Sequence, residues 1–90
     1  MLEGRLKIVN PLGLHARAAA QLVHLAGRFA SRIILKRTDS GLFADAKSIL
    51  SVLTLAASIG TEIVITVDGT DASEAYEAVY ALISGGFGEI

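Results

Sequence analysis

Glu62-Ile63-Val64-Ile65-Thr66-Val67 is the stretch of this chain whose reading decides the fold. Successive side chains of a strand point to opposite faces, so Ile63, Ile65 and Val67 share one apolar side. Asp68-Gly69 turns the chain, and Asp71 is suited to cap a helix. Beyond it Ala75, Ala78, Val79, Leu82 and Ile83 recur at helical spacing and read as a buried stripe. A strand with one apolar face and a helix with one apolar stripe ask for helices packed on a single side of a sheet.

The remaining elements repeat this logic. In Arg5-Leu6-Lys7-Ile8-Val9 the alternation sets Leu6 and Ile8 against two cations, the pattern of a half-buried strand, and Asn10-Pro11-Leu12-Gly13 breaks it. From Ala16 to about Gly27, Ala19, Leu22, Val23 and Ala26 form a helical apolar face, with Gln21, His24 and Arg28 elsewhere on the surface. Ser31 to Arg37 is β-rich, Thr38-Asp39-Ser40-Gly41 is a turn, and Leu42 to Ala44 returns as a short partner strand. Ser48 is suited to cap a second, short helix carrying Ile49, Leu50, Val52, Leu53 and Leu55, which ends before Gly60. Gly85 and Gly86 close the last helix, and Gly85-Gly86-Phe87-Gly88 reads as a stop and a tail. The order is β-α-β-β-α-β-α, expected to give an α+β fold with antiparallel strands and helices on one face.

With 90 residues and 52% apolar content, the chain is expected to form one domain, 1–90, with one core. The absence of cysteine excludes disulfides, thiolate nucleophiles and cysteine-based zinc sites. His15 and His24 fall on opposite sides of their helix, so a metal site between them is not expected, and no cofactor is implied. No segment approaches the ~20 apolar residues of a membrane span, and residues 1–5 lack the design of a signal peptide, which makes a cytoplasmic protein the expectation. Charge is separated along the chain. Arg5, Lys7, Arg17, Arg28, Arg32, Lys36 and Arg37 stand against Glu3 alone up to residue 37, whereas only Lys47 balances eight acids after it. That asymmetry suggests a basic face around His15.

Chemistry concentrates in Gly13-Leu14-His15-Ala16-Arg17, where the first strand gives way to the alanine-rich helix. The first amides of a helix lack intrahelical acceptors and carry the positive end of its dipole, so the backbone of Ala16, Arg17 and Ala18 can solvate a phosphoryl group. Arg17 adds a planar, permanently charged donor matched to phosphate oxygens. Gly13 permits a turn that would strain other residues and brings backbone close to the reacting group. His15 is therefore the candidate phosphohistidine, with Arg17 as its positioning cation.

Leu12-Gly13-Leu14-His15-Ala16-Arg17-Ala18-Ala19, Ala46-Lys47-Ser48-Ile49-Leu50, the entry Gly60-Thr61-Glu62-Ile63 and the Gly-Phe-Gly-Glu close together resemble HPr, the histidine phosphocarrier of the bacterial phosphotransferase system. The resemblance implies an open-faced β-sandwich with a four-stranded antiparallel sheet and three helices. It implies that His15 accepts a phosphoryl group on Nδ1 from enzyme I and passes it to enzyme IIA domains. It also implies that Ser48 is a target of an ATP-dependent HPr kinase/phosphorylase, and that Ile49, Leu50 and Leu53 belong to the surface these partners meet. Nothing in the sequence demands more than a monomer, which is the expected state. The sequence departs from the usual pattern at Ala18, where most members carry proline. Alanine there also occurs in nitrogen-type paralogues.

Two other functions compete with the carrier reading. One is a regulatory adaptor that acts mainly through serine-phosphorylated Ser48 on a transcription factor or metabolic enzyme. The other is nucleic-acid binding on the sheet face through Arg5, Lys7, Arg32 and Lys36. The second lacks stacking platforms, since Phe43 alone among the aromatics falls on a strand. Tyr76 and Tyr80, four apart, read as helix packing.

Overall fold

The structure is a computed structural model in which residues 1–89 are described. The elements are β1 (Leu2–Lys7), α1 (Ala16–Ala26), β2 (Arg32–Arg37), β3 (Phe43–Asp45), α2 (Ile49–Thr54), β4 (Glu62–Asp68) and α3 (Ala72–Ser84), with a 3-10 turn at Gly86–Gly88. All strand pairs are antiparallel, and the sheet order is β1-β4-β2-β3. The four-stranded sheet and its helical layer are those expected from the sequence.

The seven-residue β4 lies at the centre of the sheet. Ile63, Ile65 and Val67 are wholly buried, aligned with Leu6, Gly4 and Leu2 on β1 and with Arg37, Leu35 and Ile33 on β2. α1 packs against α2 and α3, while α3 also lies over β1 and β4 and α2 over β3. Ala18, Ala19, Leu22 and Ala26 fill the inner side of α1, and Ala75, Val79 and Ile83 that of α3. Ala78 and Leu82, expected in the α3 stripe, are half-buried at its margins. Burying the larger of these side chains, Leu22, Val79 and Ile83, stabilises the fold by about 1.5–3 kcal/mol each. At Gly4 an added Cβ would stand 1.8 Å from the Tyr76 hydroxyl, so the missing side chain makes room for that ring over β1. Tyr76 in turn stacks on Tyr80, with centroids 5.8 Å apart.

Three local expectations are corrected. β1 runs from Leu2 to Lys7 rather than from Arg5 to Val9, because pairing with the long β4 recruits the N-terminal residues despite their weak alternation. Ile8 is nevertheless buried, and its backbone continues the register by donating to Thr61 O. Asp71 occupies the N-cap position of α3 but makes no side-chain cap bond. Its carboxylate instead accepts from the backbone N–H groups of Ala30 (2.8 Å) and Ser31 (2.9 Å) and from the Ser31 hydroxyl, tying the α1–β2 connection to the start of α3. The glycine-rich end is not a free tail, since Phe87 is buried in the core with a left-handed backbone (φ 56°).

The Ser31 hydroxyl above all, and the Ala30 and Ser31 amides, hold the Asp71 carboxyl below the ordinary carboxylate range, against partial withdrawal from water. A carboxyl depressed in the folded state adds stability above its unfolded value, and that contribution disappears as pH falls through the folded one. Thermal unfolding of wild type and Asp71→Ala from pH 7 to pH 2 should therefore show a gap at neutral pH that closes in the acid range. Ile65→Ala should lower the unfolding free energy by about 2–5 kcal/mol in urea titrations, because it opens a cavity in the central strand.

Candidate functional site

The connection from β1 to α1 is fixed from several directions. Asn10, wholly buried, donates from Nδ2 to Gly13 O at 2.8 Å, while Gly13 N donates to Asn10 O at 3.1 Å. Gly13 has φ 64°, and a Cβ there would meet Ala57 O at 2.4 Å. The reason is the next residue: Leu14 is buried and donates its N–H to Ala57 O at 2.9 Å, drawing the loop against the segment that follows α2. That segment is itself held by Arg37, which donates to Leu55 O at 2.8 Å and pairs with Asp39.

His15 emerges from this loop as the N-cap residue of α1, with extended backbone and no side-chain cap bond. Its carbonyl accepts from Ala19 N at 2.8 Å, opening the helical ladder. The N–H groups of Ala16, Arg17 and Ala18 find no acceptor among the described residues. Ala18 is buried, whereas Arg17 is exposed and joins none of the ion pairs among the described residues. The sequence-expected group of His15, Arg17 and three amides thus shares one helix entrance, open to solvent on the side of Arg17.

Sequence reading missed the partner of the imidazole. The 3-10 turn carries Glu89 back across the molecule, and its carboxylate meets His15 Nε2. The imidazole is 25% and the carboxylate 13% exposed, so the contact is sheltered but reachable. The imidazole contact first, and further the Asn10 amide and the Leu12 backbone, hold the Glu89 carboxyl below the usual range, against partial desolvation. The signal was faint: an isolated Phe87 between glycines is an apolar side chain that must find a pocket. Asn10 was also read only as a strand breaker. Its Oδ1 has no hydrogen-bond partner among the described residues.

Ser48 is the N-cap of α2, and its hydroxyl accepts from Ser51 N at 3.3 Å. In α2, Leu50 is 74% exposed and Ile49 41%, while Leu53 is half-buried against the core. Leu12, on the loop of His15, is 69% exposed and belongs with them as an uncovered apolar side chain that the sequence reading did not single out.

The expected basic face around His15 is not formed. Arg5, Lys7, Arg32 and Lys36 alternate onto the open face of the sheet, away from the helical layer. There they are interleaved with Glu3, Glu62, Asp68 and Asp45, and Arg5 lies 3.7 Å from Glu62. A shallow groove on this face is lined by Glu3, Arg5, Lys36, Thr38, Val64 and Thr66. The exposed Phe43 is on the same face, at its edge. No described helix is long and apolar enough to cross a membrane.

A one-sided antiparallel sheet under three helices, with a partly exposed histidine at a helix entrance, defines a small α+β protein whose candidate site lies at the surface. The family model described as "PTS HPr component phosphorylation site" matches residues 2–85. The chain is 48% identical over 89 residues to the phosphocarrier protein HPr of Cupriavidus necator, covering 99% of this chain and 98% of that protein. HPr-C-His from Thermoanaerobacter tengcongensis superposes with a TM-score of 0.92 at 37% identity, covering 100% of this chain and 99% of that one. A structure described as an HPr dimer from the same organism gives 0.77 at 37% identity, covering 99% and 100%. The chain belongs to the HPr family of phosphotransferase-system phosphocarriers, a family of carriers rather than catalysts.

Gly13→Ala should cost at least about 1–3 kcal/mol from backbone strain, with the Ala57 carbonyl clash added. Urea unfolding should report the loss.

Proposed function

We propose that this chain takes a phosphoryl group from enzyme I on His15 Nδ1 and gives it to enzyme IIA domains, acting as a monomer in the cytoplasm without metal or cofactor. The observation that carries this reading is the coincidence, at one helix entrance, of an accessible imidazole with three amides lacking internal acceptors. Amides without internal acceptors at a helix entrance, here those of Ala16, Arg17 and Ala18, carry partial positive charge of the kind that favours phosphoryl oxygens. Arg17, exposed and free of carboxylate partners among the described residues, can swing to the same oxygens. The field of a helix end is worth about 0.3–1 kcal/mol at exposed sites, enough to steady the group without trapping it.

Docking falls to Ile49, Leu50 and Leu53. The exposure of Ile49 and Leu50 supports this, and Leu53 offers its outer part. Weak, fast exchange suits a small apolar patch. Ser48 serves as a regulatory phosphosite for an HPr kinase/phosphorylase. A phosphate there would place about two negative charges beside the same patch, so it would disfavour partners whose contact surface is acidic.

Incubation with enzyme I and phosphoenolpyruvate should add one acid-labile phosphoryl group by intact mass, and His15→Ala should add none. A folded wild type that stays unmodified by enzymes I from several sources refutes the carrier role and turns attention to kinase treatment at Ser48. Ala18→Pro removes an N–H that has no acceptor among the described residues. It should raise stability by about 0.4–1 kcal/mol through a stiffer unfolded chain, with phosphoryl uptake changed by less than about tenfold. Calorimetry and uptake kinetics would check both.

A further inference from the structure

We propose that Glu89 is a positioning residue of this site: its carboxylate holds the imidazole proton on Nε2 and so presents the Nδ1 lone pair as the nucleophile. The proposal rests on the carrier reading of His15 and adds a residue 74 positions away that fixes which nitrogen reacts. A neutral imidazole has one donor and one acceptor nitrogen, and the group bonded to one nitrogen decides the role of the other. Here the partner at Nε2 is an acceptor-only carboxylate, while Nδ1 has no protein partner among the described residues. Carboxylates orient imidazoles in the same way in catalytic triads and behind metal-bound histidines.

The carboxylate is not on a frayed end. Phe87 plugs the core just before it, Gly88 N donates to Gly85 O at 3.4 Å, and Glu89 N donates to Gly86 O at 3.0 Å. This compact turn sets the height at which Glu89 meets the ring. No other acid competes for that role nearby in the chain, since the loop from Asn10 to Leu14 and helix α2 contain none and Arg17 is a cation. Asn10, buried beneath the loop, adds its amide to the surroundings of Glu89.

In the transfer from a phosphohistidine donor, the Nδ1 lone pair forms the new N–P bond while the donor's N–P bond breaks and its electron pair returns to the donor nitrogen. Nε2 keeps its proton. The phosphorylated ring then carries a positive charge, and the Glu89 carboxylate is its counter-charge. When the group moves on, the N–P electron pair returns to Nδ1, and the ring is again neutral with the proton still on Nε2.

The test uses the full chain as wild type, Glu89→Gln and Glu89→Ala, each checked for folding by its thermal midpoint. Nitrogen-15 spectra of the unphosphorylated imidazole at about pH 8 report which nitrogen carries the proton. Uptake from phosphorylated enzyme I reports the transfer rate. Wild type should show the proton on Nε2. Glu89→Gln, whose amide oxygen still accepts, should keep that tautomer but transfer more slowly. Glu89→Ala should spread the proton over both nitrogens and lower kcat for uptake about tenfold, with KM for enzyme I unchanged. Glu89→Ala spectra and rates equal to wild type overturn the proposal, as does a tautomer change with no change in rate. A wild type that takes up no phosphoryl group, like a His15→Ala blank, defeats the carrier reading. It also ends the role of Glu89 in transfer, and the spectra alone then decide whether it fixes the tautomer.

Discussion

The structure depends on the one-sided burial of β4. A central strand with Ile63, Ile65 and Val67 on one face and Val64 and Thr66 on the other cannot be covered twice by so short a chain, so all three helices gather on one side. Everything that bears on the site follows from this. The helices must enter their layer from strand ends, and α1 begins where the chain leaves β1 at the rim of the sheet. A helix entrance at a rim is a place where backbone donors meet solvent without costing the core anything.

Holding that entrance still is the work of polar contacts rather than of the apolar layer. Asn10 braces the Gly13 turn, Ala57 receives the Leu14 amide, and Arg37 secures the carbonyls after α2 on which Ala57 depends. Each of these groups is buried or half-buried, where an unmade hydrogen bond is expensive. Phe87 then brings Glu89 to the imidazole from the far end of the chain. Three distant segments thus converge on one ring, and its geometry is set by all of them.

Much of this was legible in the sequence. The alternation in β4, the helical stripes of α1 and α3 and the Ser48 cap gave the elements and their layering, because each signal is local and repeats along its element. The histidine, arginine and amide group was legible for the same reason, being contiguous. What escaped reading depends on pairing across the chain. Leu2 to Gly4 become strand only beside β4, Asp71 turns from its own helix to Ala30 and Ser31, and Glu89 has meaning only opposite His15. The basic residues misled because their sequence clustering is undone by strand alternation, which sends four of them to the open face.

The contact between His15 and Glu89 closes nearly the whole chain into one loop. Forming so long a loop costs entropy that only the completed fold offsets, and a partly unfolded chain lacks the core pocket for Phe87 that holds Glu89 near His15. The site is therefore complete only when the segment after α3 is docked through Phe87. A break in the backbone between α3 and Glu89 would therefore part the imidazole from its carboxylate while leaving the turn at Gly13 and the entrance of α1 with all their own hydrogen bonds.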